Sequence, residues 1–169
     1  MNFKTILFLI VIFFLSSCGY RPSATYTKEM VGDVSLDIDV SLSDPENSVL
    51  TKEAINRAIL FRLKGNVVAK NDSTAHLKVS YKNIDFIPLQ YDDSGYVRYY
   101  QTRTTLHFEF TKDKKVIQKD MVGLYAFPIQ QSAIISSSNR YDAIEEGSKK
   151  AIDQFVAYMG VIGAKEVTK

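Results

Sequence analysis

The chain has one cysteine, two histidines and no tryptophan, and its 21 basic side chains nearly cancel its 19 acidic ones. A lone cysteine cannot close an intramolecular disulfide, so the fold must rest on its core. Structural zinc sites gather three or four Cys or His ligands, and His76 and His107 have no second histidine or cysteine at ligand spacing. The balanced charge gives no bulk attraction to nucleic acid. Neither a Gly-x-Ser-x-Gly elbow, a phosphate-binding glycine loop nor a dinucleotide fingerprint is present. Asp92-Asp93-Ser94-Gly95 lacks the alternating donors and closing glutamate of a calcium loop and fits a hairpin turn. Ser136-Ser137-Ser138 has no base in view. These absences argue against an enzyme and imply no metal or cofactor. The apolar run Ile6 to Leu15 is also too short for a membrane-spanning helix, which needs about 20 residues.

That run is informative in another way. Lys4 precedes it, and the small residues Ser16 and Ser17 follow, which is the layout of a secretory signal. Leu15-Ser16-Ser17-Cys18 resembles the lipobox cut by the bacterial lipoprotein signal peptidase. The resemblance implies removal of residues 1–17 and lipidation of Cys18 at its sulfur and its new amino terminus. Several acyl chains anchor firmly where one binds only marginally. The partner of the N-terminus is thus a membrane. Gly19 stands where an aspartate would resemble an inner-membrane retention signal, which favours the outer membrane.

Residues 18–32 have no clear period and form a tether. A single domain is expected over residues 33–163, with a short tail at 164–169. Val34, Leu36, Ile38, Val40 and Leu42 alternate with polar residues, the pattern of a half-buried strand. A helix over about Ser48–Lys64 follows, its apolar side formed by Leu50, Ala54, Ala58 and Phe61 and broadened by Ile55 and Ile59. Arg62 falls near the middle of that side, where its stem would pack while its head snorkels. Ala75 to Pro88 is a second strand whose parity changes near Lys82-Asn83, as a bulge would require. Tyr96–Thr111 and Lys115–Tyr125 continue an antiparallel meander. Ser138-Asn139 caps a last helix to about Met159, striped by Tyr141, Ile144, Ser148, Ala151, Ile152, Phe155 and Met159. Gly147 and Ser148 would let this helix approach its neighbour closely. The order β-α-β-β-β-α predicts an α+β two-layer sandwich, with one mostly antiparallel four-stranded sheet and two helices on one face.

The loop Phe127–Ser137 mixes Ile129, Ile134 and Ile135 with glutamines and serines. Apolar residues in a polar loop mark an interface or cover a sheet end, and both alternatives stay open.

Cys18-Gly19-Tyr20 followed by a strand and an Ala/Leu-bearing helix resembles the LPS-assembly lipoprotein family, LptE. So do the Tyr91–Gln101 turn and tyrosine strand, the hairpin Phe108–Val116, Gly123-Leu124-Tyr125 and the helix Asn139–Met159. The resemblance covers nearly the whole mature chain. It implies an outer-membrane plug inside the β-barrel LptD, helping that barrel assemble and contacting lipopolysaccharide (LPS). A barrel lumen is polar, so a plug needs a polar surface. Ser35, Asp37, Asp39, Gln101, Arg103 and Thr105 offer one, as they would on any solvated sheet face. The resemblance also implies basic residues near the second-to-third strand loop and near the start of the last helix. Arg140 matches the second position, whereas Asp85 stands at the first, with Lys82 three residues earlier. Arg98 and Arg103 are the other candidates for LPS phosphates, or ordinary solvated charges. Barrel contact would fall to Ile129, Ile134, Ile135 and Tyr96. Two other classes fit a tethered non-catalytic domain: an activator of a peptidoglycan synthase, and an auxiliary lipoprotein of an envelope export or lipid-transport system.

Overall fold

A computed structural model describes residues 32–40, 45–62, 67–129 and 134–167. Cys18 and the tether up to residue 31 lie outside the described residues. Strand β1 (Val34–Asp39) leads to helix α1 (Pro45–Arg62) and a short 3₁₀ turn (Lys70–Asp72). Strands β2 (Ala75–Tyr91), β3 (Val97–Lys112) and β4 (Lys115–Pro128) follow, then helix α2 (Ser137–Val167). The sheet order is β1-β2-β3-β4. β1 pairs with β2 in parallel, Val34 opposite Ala75, because a helical crossover returns the chain in the same direction. The other pairings are antiparallel, so the sheet is mixed. No helix among the described residues is long and apolar enough to cross a membrane.

Both helices cover one face of the sheet. Leu77 and Val79, Leu106, Phe108 and Phe110 meet Ile55 and Ile59 of α1 and Ile152, Phe155 and Met159 of α2 in one core. The bulge falls where the parity change required it, between Tyr81 and Asn83. It returns Ile84 and Phe86 to the helix side, opposite the buried Thr104 and Thr102 of β3. Asp113 and Lys114 turn β3 into β4 with φ of 47° and 64°, the left-handed pair that suits a two-residue hairpin.

The helix faces differ from the expected ones in particular places. Among the described side chains of α1 the buried ones are Thr51, Ala54, Ile55, Ala58 and Ile59, while Phe61 is exposed and Leu50 only half-buried. The stripe continues every three to four residues from Thr51, and Phe61 lies off that line. Its ring sits instead on the seam between the helices, with the Arg62 guanidinium 5.3 Å and the Lys149 ammonium 5.0 Å from its centroid. The Arg62 head reaches the partly exposed seam between the helices, where it pairs with Asp153 of α2 at 2.8 Å. Lys149 binds Glu145 at 2.8 Å and Glu146 at 2.6 Å, and these hydrogen bonds raise its pKa above the ordinary lysine value. Helix α2 runs on to Val167, past the expected stop near Met159, because Gly160 and Gly163 are buried helical positions, not a terminating signal.

Candidate functional site

Beyond the main core, the far end of the sheet builds a second cluster around Phe127 of β4. Phe86 meets the Phe127 ring edge-on at 6.3 Å, and Tyr100 and Tyr125 stack near it at 6.2 Å each. Ala143 of α2, fully buried, closes the cluster from the helix side. The loop before α2 folds into it. The Ile129 N–H donates to the Arg98 carbonyl at 3.0 Å, Ile129 is buried, and Ile135 packs alongside. Ile134 points away and is 75% exposed. Of the three isoleucines, two thus cover the sheet end and one stays at the surface.

Arg140 stands at the entrance to α2, its guanidinium 5.0 Å above the Phe86 ring, a cation–π contact. The cap here is Ser136, not Ser138-Asn139. Its hydroxyl accepts from the Asn139 N–H at 3.1 Å, and its carbonyl accepts from the Arg140 N–H at 2.9 Å. One turn on, the Tyr141 hydroxyl is buried with no hydrogen-bond partner among the described residues, and burial pushes its pKa up.

The β2–β3 hairpin tip fixes a second cation. Asp92 accepts from the backbone N–H groups of Ser94 at 3.0 Å and Tyr96 at 2.9 Å, and Arg98 pairs with it at 2.7 Å. The Tyr96 hydrogen bond foremost, then the Arg98 charge and the Ser94 hydrogen bond, hold the Asp92 carboxyl below its ordinary value. A depressed carboxylate contributes stability that is fully present above the unfolded pKa and fades as pH falls through the folded one. The Ser94 and Tyr96 amide shifts are therefore expected to titrate with a midpoint below about 3.9, the free aspartate value. Arg98→Ala should move that midpoint upward in an NMR titration. An unmoved midpoint would mean that the ion pair does not hold the turn.

The four candidate cations do not converge. Arg140 and Arg98 flank the aromatic cluster, Arg98 already committed to Asp92. Arg103 lies exposed on the helix-free face, opposite Asp85 on β2 and Leu124 on β4. Lys82 is exposed within the bulge. Tyr96 is exposed beside the hairpin turn.

The helix-free face is polar along β1, β2 and β3 near the domain's base. There Asp39 pairs with Lys78 at 3.7 Å, and His107 with Asp120 across β3 and β4 at 2.5 Å. Ser35, expected on this wet face, is buried, held by hydrogen bonds to the Ala75 carbonyl, His76 Nδ1 and Ser73. Farther out the same face turns apolar. Val122 and Leu124 of β4 and Tyr99 of β3 are exposed there.

The LptE family model, described as lipopolysaccharide-assembly, matches residues 36–159, from within β1 to within α2. The chain belongs to the LptE family. The family is one of non-enzymatic lipoproteins. Among solved structures, a lipoprotein from Caulobacter crescentus CB15 is 10% identical and superimposes with a TM-score of 0.52, over 83% of this chain and 96% of its own. At that identity the likeness speaks for the LptE fold alone. Rare lipoprotein B from Shewanella oneidensis is 17% identical, with a TM-score of 0.49 over 78% of this chain and 97% of its own. No curated protein matches in sequence. In this LptE chain, the position where the resemblance implied a basic residue in the β2–β3 hairpin is Asp85, half-buried and bonded to the Asn83 amide at 2.9 Å. The second position, Arg140, carries its cation as the resemblance implied, but stacked on Phe86.

Proposed function

We propose that this LptE-family chain is a lipid-anchored outer-membrane protein that lodges in the lumen of the LPS-translocating barrel LptD, helps it assemble and assists LPS insertion. The observation that carries the proposal is the family match across residues 36–159, which takes in α1, β2, β3 and β4 whole. Two features support the finer reading. A barrel lumen is polar, and the base of the helix-free face carries Asp37, Asp39, Lys78, His107 and Glu109, polar side chains of the kind such a wall can hydrogen-bond. LPS carries phosphates, which arginine binds bidentately and lysine as a point charge. Arg140, with Arg98 at the same end of the sheet, is the first candidate for them; Arg103 and Lys82 are the second.

Anchoring is tested by mass. Protein extracted from membranes is expected to begin at Cys18 and to carry acyl chains, and Cys18→Ala should lose both the cleavage and the lipid. A processed chain with unmodified Cys18 would sink the anchor. Partnership is tested by isolation and depletion. The tagged protein should bring down LptD at one to one, and photo-crosslinkers at Tyr96 or Ile134 should capture barrel residues. Depletion should lower correctly assembled LptD and surface LPS. Normal barrel assembly without the protein, with crosslinks to a peptidoglycan synthase, would replace this proposal by the synthase-activator alternative.

A further inference from the structure

The outer edge of β1 is half used. The Val34 carbonyl accepts from the Val68 N–H at 3.0 Å, and Val34 and Val67 form an isolated parallel bridge. The Asp33 carbonyl turns the other way, taking the N–H groups of Thr74 and Ala75 at the start of β2. Main-chain groups alternate sides along a strand. Leu36 and Ile38 therefore aim their N–H and C=O outward, in line with Val34. The chain that pairs with Val34 turns off at once into the 3₁₀ turn at Lys70–Asp72. Among the described residues, no strand continues the ladder past Val34.

Beside those open groups runs a groove between β1 and α1, lined along the strand by Leu36, Asp37 and Ile38 and along the helix by Val49, Lys52, Glu53 and Asn56. Leu36 and Ile38 are half-buried and Val49 is 68% exposed. On the other face of the same strand stand Asp37 and Asp39, both exposed; Lys78, at 3.7 Å from Asp39, is the cation paired there. A segment added to this edge would drop alternate side chains into the apolar groove and hold the others beside the aspartates. The far edge of the sheet is less open: on β4 the Val122 carbonyl already accepts from Gln154 of α2 at 2.9 Å.

We propose that the β1 edge is a strand-addition site for an extended segment of a partner protein that alternates apolar with basic residues. The inference rests on the edge, the groove and the aspartates, and stands independently of the barrel assignment. The apolar alternation is set by Leu36, Ile38 and Val49, and the basic alternation by Asp37 and Asp39. The first rung, taken by Val67 and Val68, shows that this edge accepts a parallel strand.

The test uses the full lipidated protein in detergent and a capped synthetic peptide of alternating lysine and valine. Hydrogen exchange at the Leu36 and Ile38 amides is expected to slow at least about tenfold on adding it, because those amides gain an acceptor. A glutamate–valine peptide should protect them far less. Ile38→Pro removes one outward N–H without touching the β2 ladder and should abolish the effect. Because a proline can also loosen β1, the double variant Asp37→Lys/Asp39→Lys is read in parallel. It keeps every backbone group and should reverse the preference towards the glutamate peptide. Equal protection by both peptides, protection on β4 instead, or a dimer of the protein that Ile38→Pro dissolves would each overturn the proposal.

Discussion

Phe155→Ala is expected to lower the free energy of unfolding by about 3–5 kcal/mol, the range for deleting a large buried aromatic. The ring is 1% exposed and lies almost parallel to Phe108, with centroids 4.5 Å apart and planes 8° from coincidence. Phe108 belongs to β3, flanked in register by Val79 on β2 and Lys119 on β4. The stacked pair therefore joins the middle of the sheet to the helix that spans β3 and β4. Aromatic stacking adds to the area lost, and the rigid β3 backbone beneath leaves little room for the hole to close. Ordinary domains hold only about 5–15 kcal/mol in total, so the variant should sit near the edge of folding at 37 °C. Urea unfolding of the two proteins measures it. A loss below about 1 kcal/mol would mean that α2 is held elsewhere.

Gly123→Ala should be as damaging for the opposite reason. A Cβ there would run into the carbonyl oxygen of Gly147 and stand 2.7 Å from the Ala151 nitrogen and 2.8 Å from the Gly147 carbonyl carbon. All three are helix backbone, so no side chain can swing aside and α2 must lift from the sheet. Overpacking usually costs about 1–3 kcal/mol, and a backbone collision belongs at or beyond the top of that range. Gly147→Ala differs instructively. Its Cβ would press on the Thr104 side chain, whose Cβ lies 3.2 Å away. Thr104→Ala should therefore relieve Gly147→Ala and do nothing for Gly123→Ala, a non-additivity that denaturation of the double variants would read directly. Removing the Thr104 hydroxyl is itself inexpensive, since it is buried without a hydrogen-bond partner among the described residues.

The parts legible in the sequence were those where one physical demand dominated. Leu106, Phe108 and Phe110 alternate with Arg103, Thr105, His107 and Glu109, and the buried face of β3 follows from that alternation. The break in parity at Lys82 could be satisfied only by an extra residue in the strand. The small pair Gly147-Ser148 announced a close approach, and the structure adds its counterpart, Gly123 on β4. β4 resisted a sequence reading because Met121, Gly123, Tyr125 and Phe127 alternate with Val122, Leu124 and Ala126, apolar on both sides. Only packing against α2 decides which set is covered. Phe61 misled because a large apolar ring was assigned to the core, whereas cations on two helices hold it at the surface. Among the site residues, Arg140 was found by resemblance, but its seat on Phe86 joins residues 54 positions apart in the chain and has no local signal.

The bulge at Tyr81–Asn83 makes β2 a text with two reading frames. Before it, odd-numbered residues from Ala75 to Tyr81 face the helices; after it, Ile84 and Phe86 do. A single lost codon at Lys82 would take out the spare residue and merge the two frames into one, with Tyr81, Ile84 and Phe86 all still facing the helices. A codon lost at Asp85 would instead make Ile84 and Phe86 neighbours, and neighbours in a strand point to opposite faces, so one of the two would leave the helix side. The same one-residue change is thus absorbed at the bulge and felt three residues farther on.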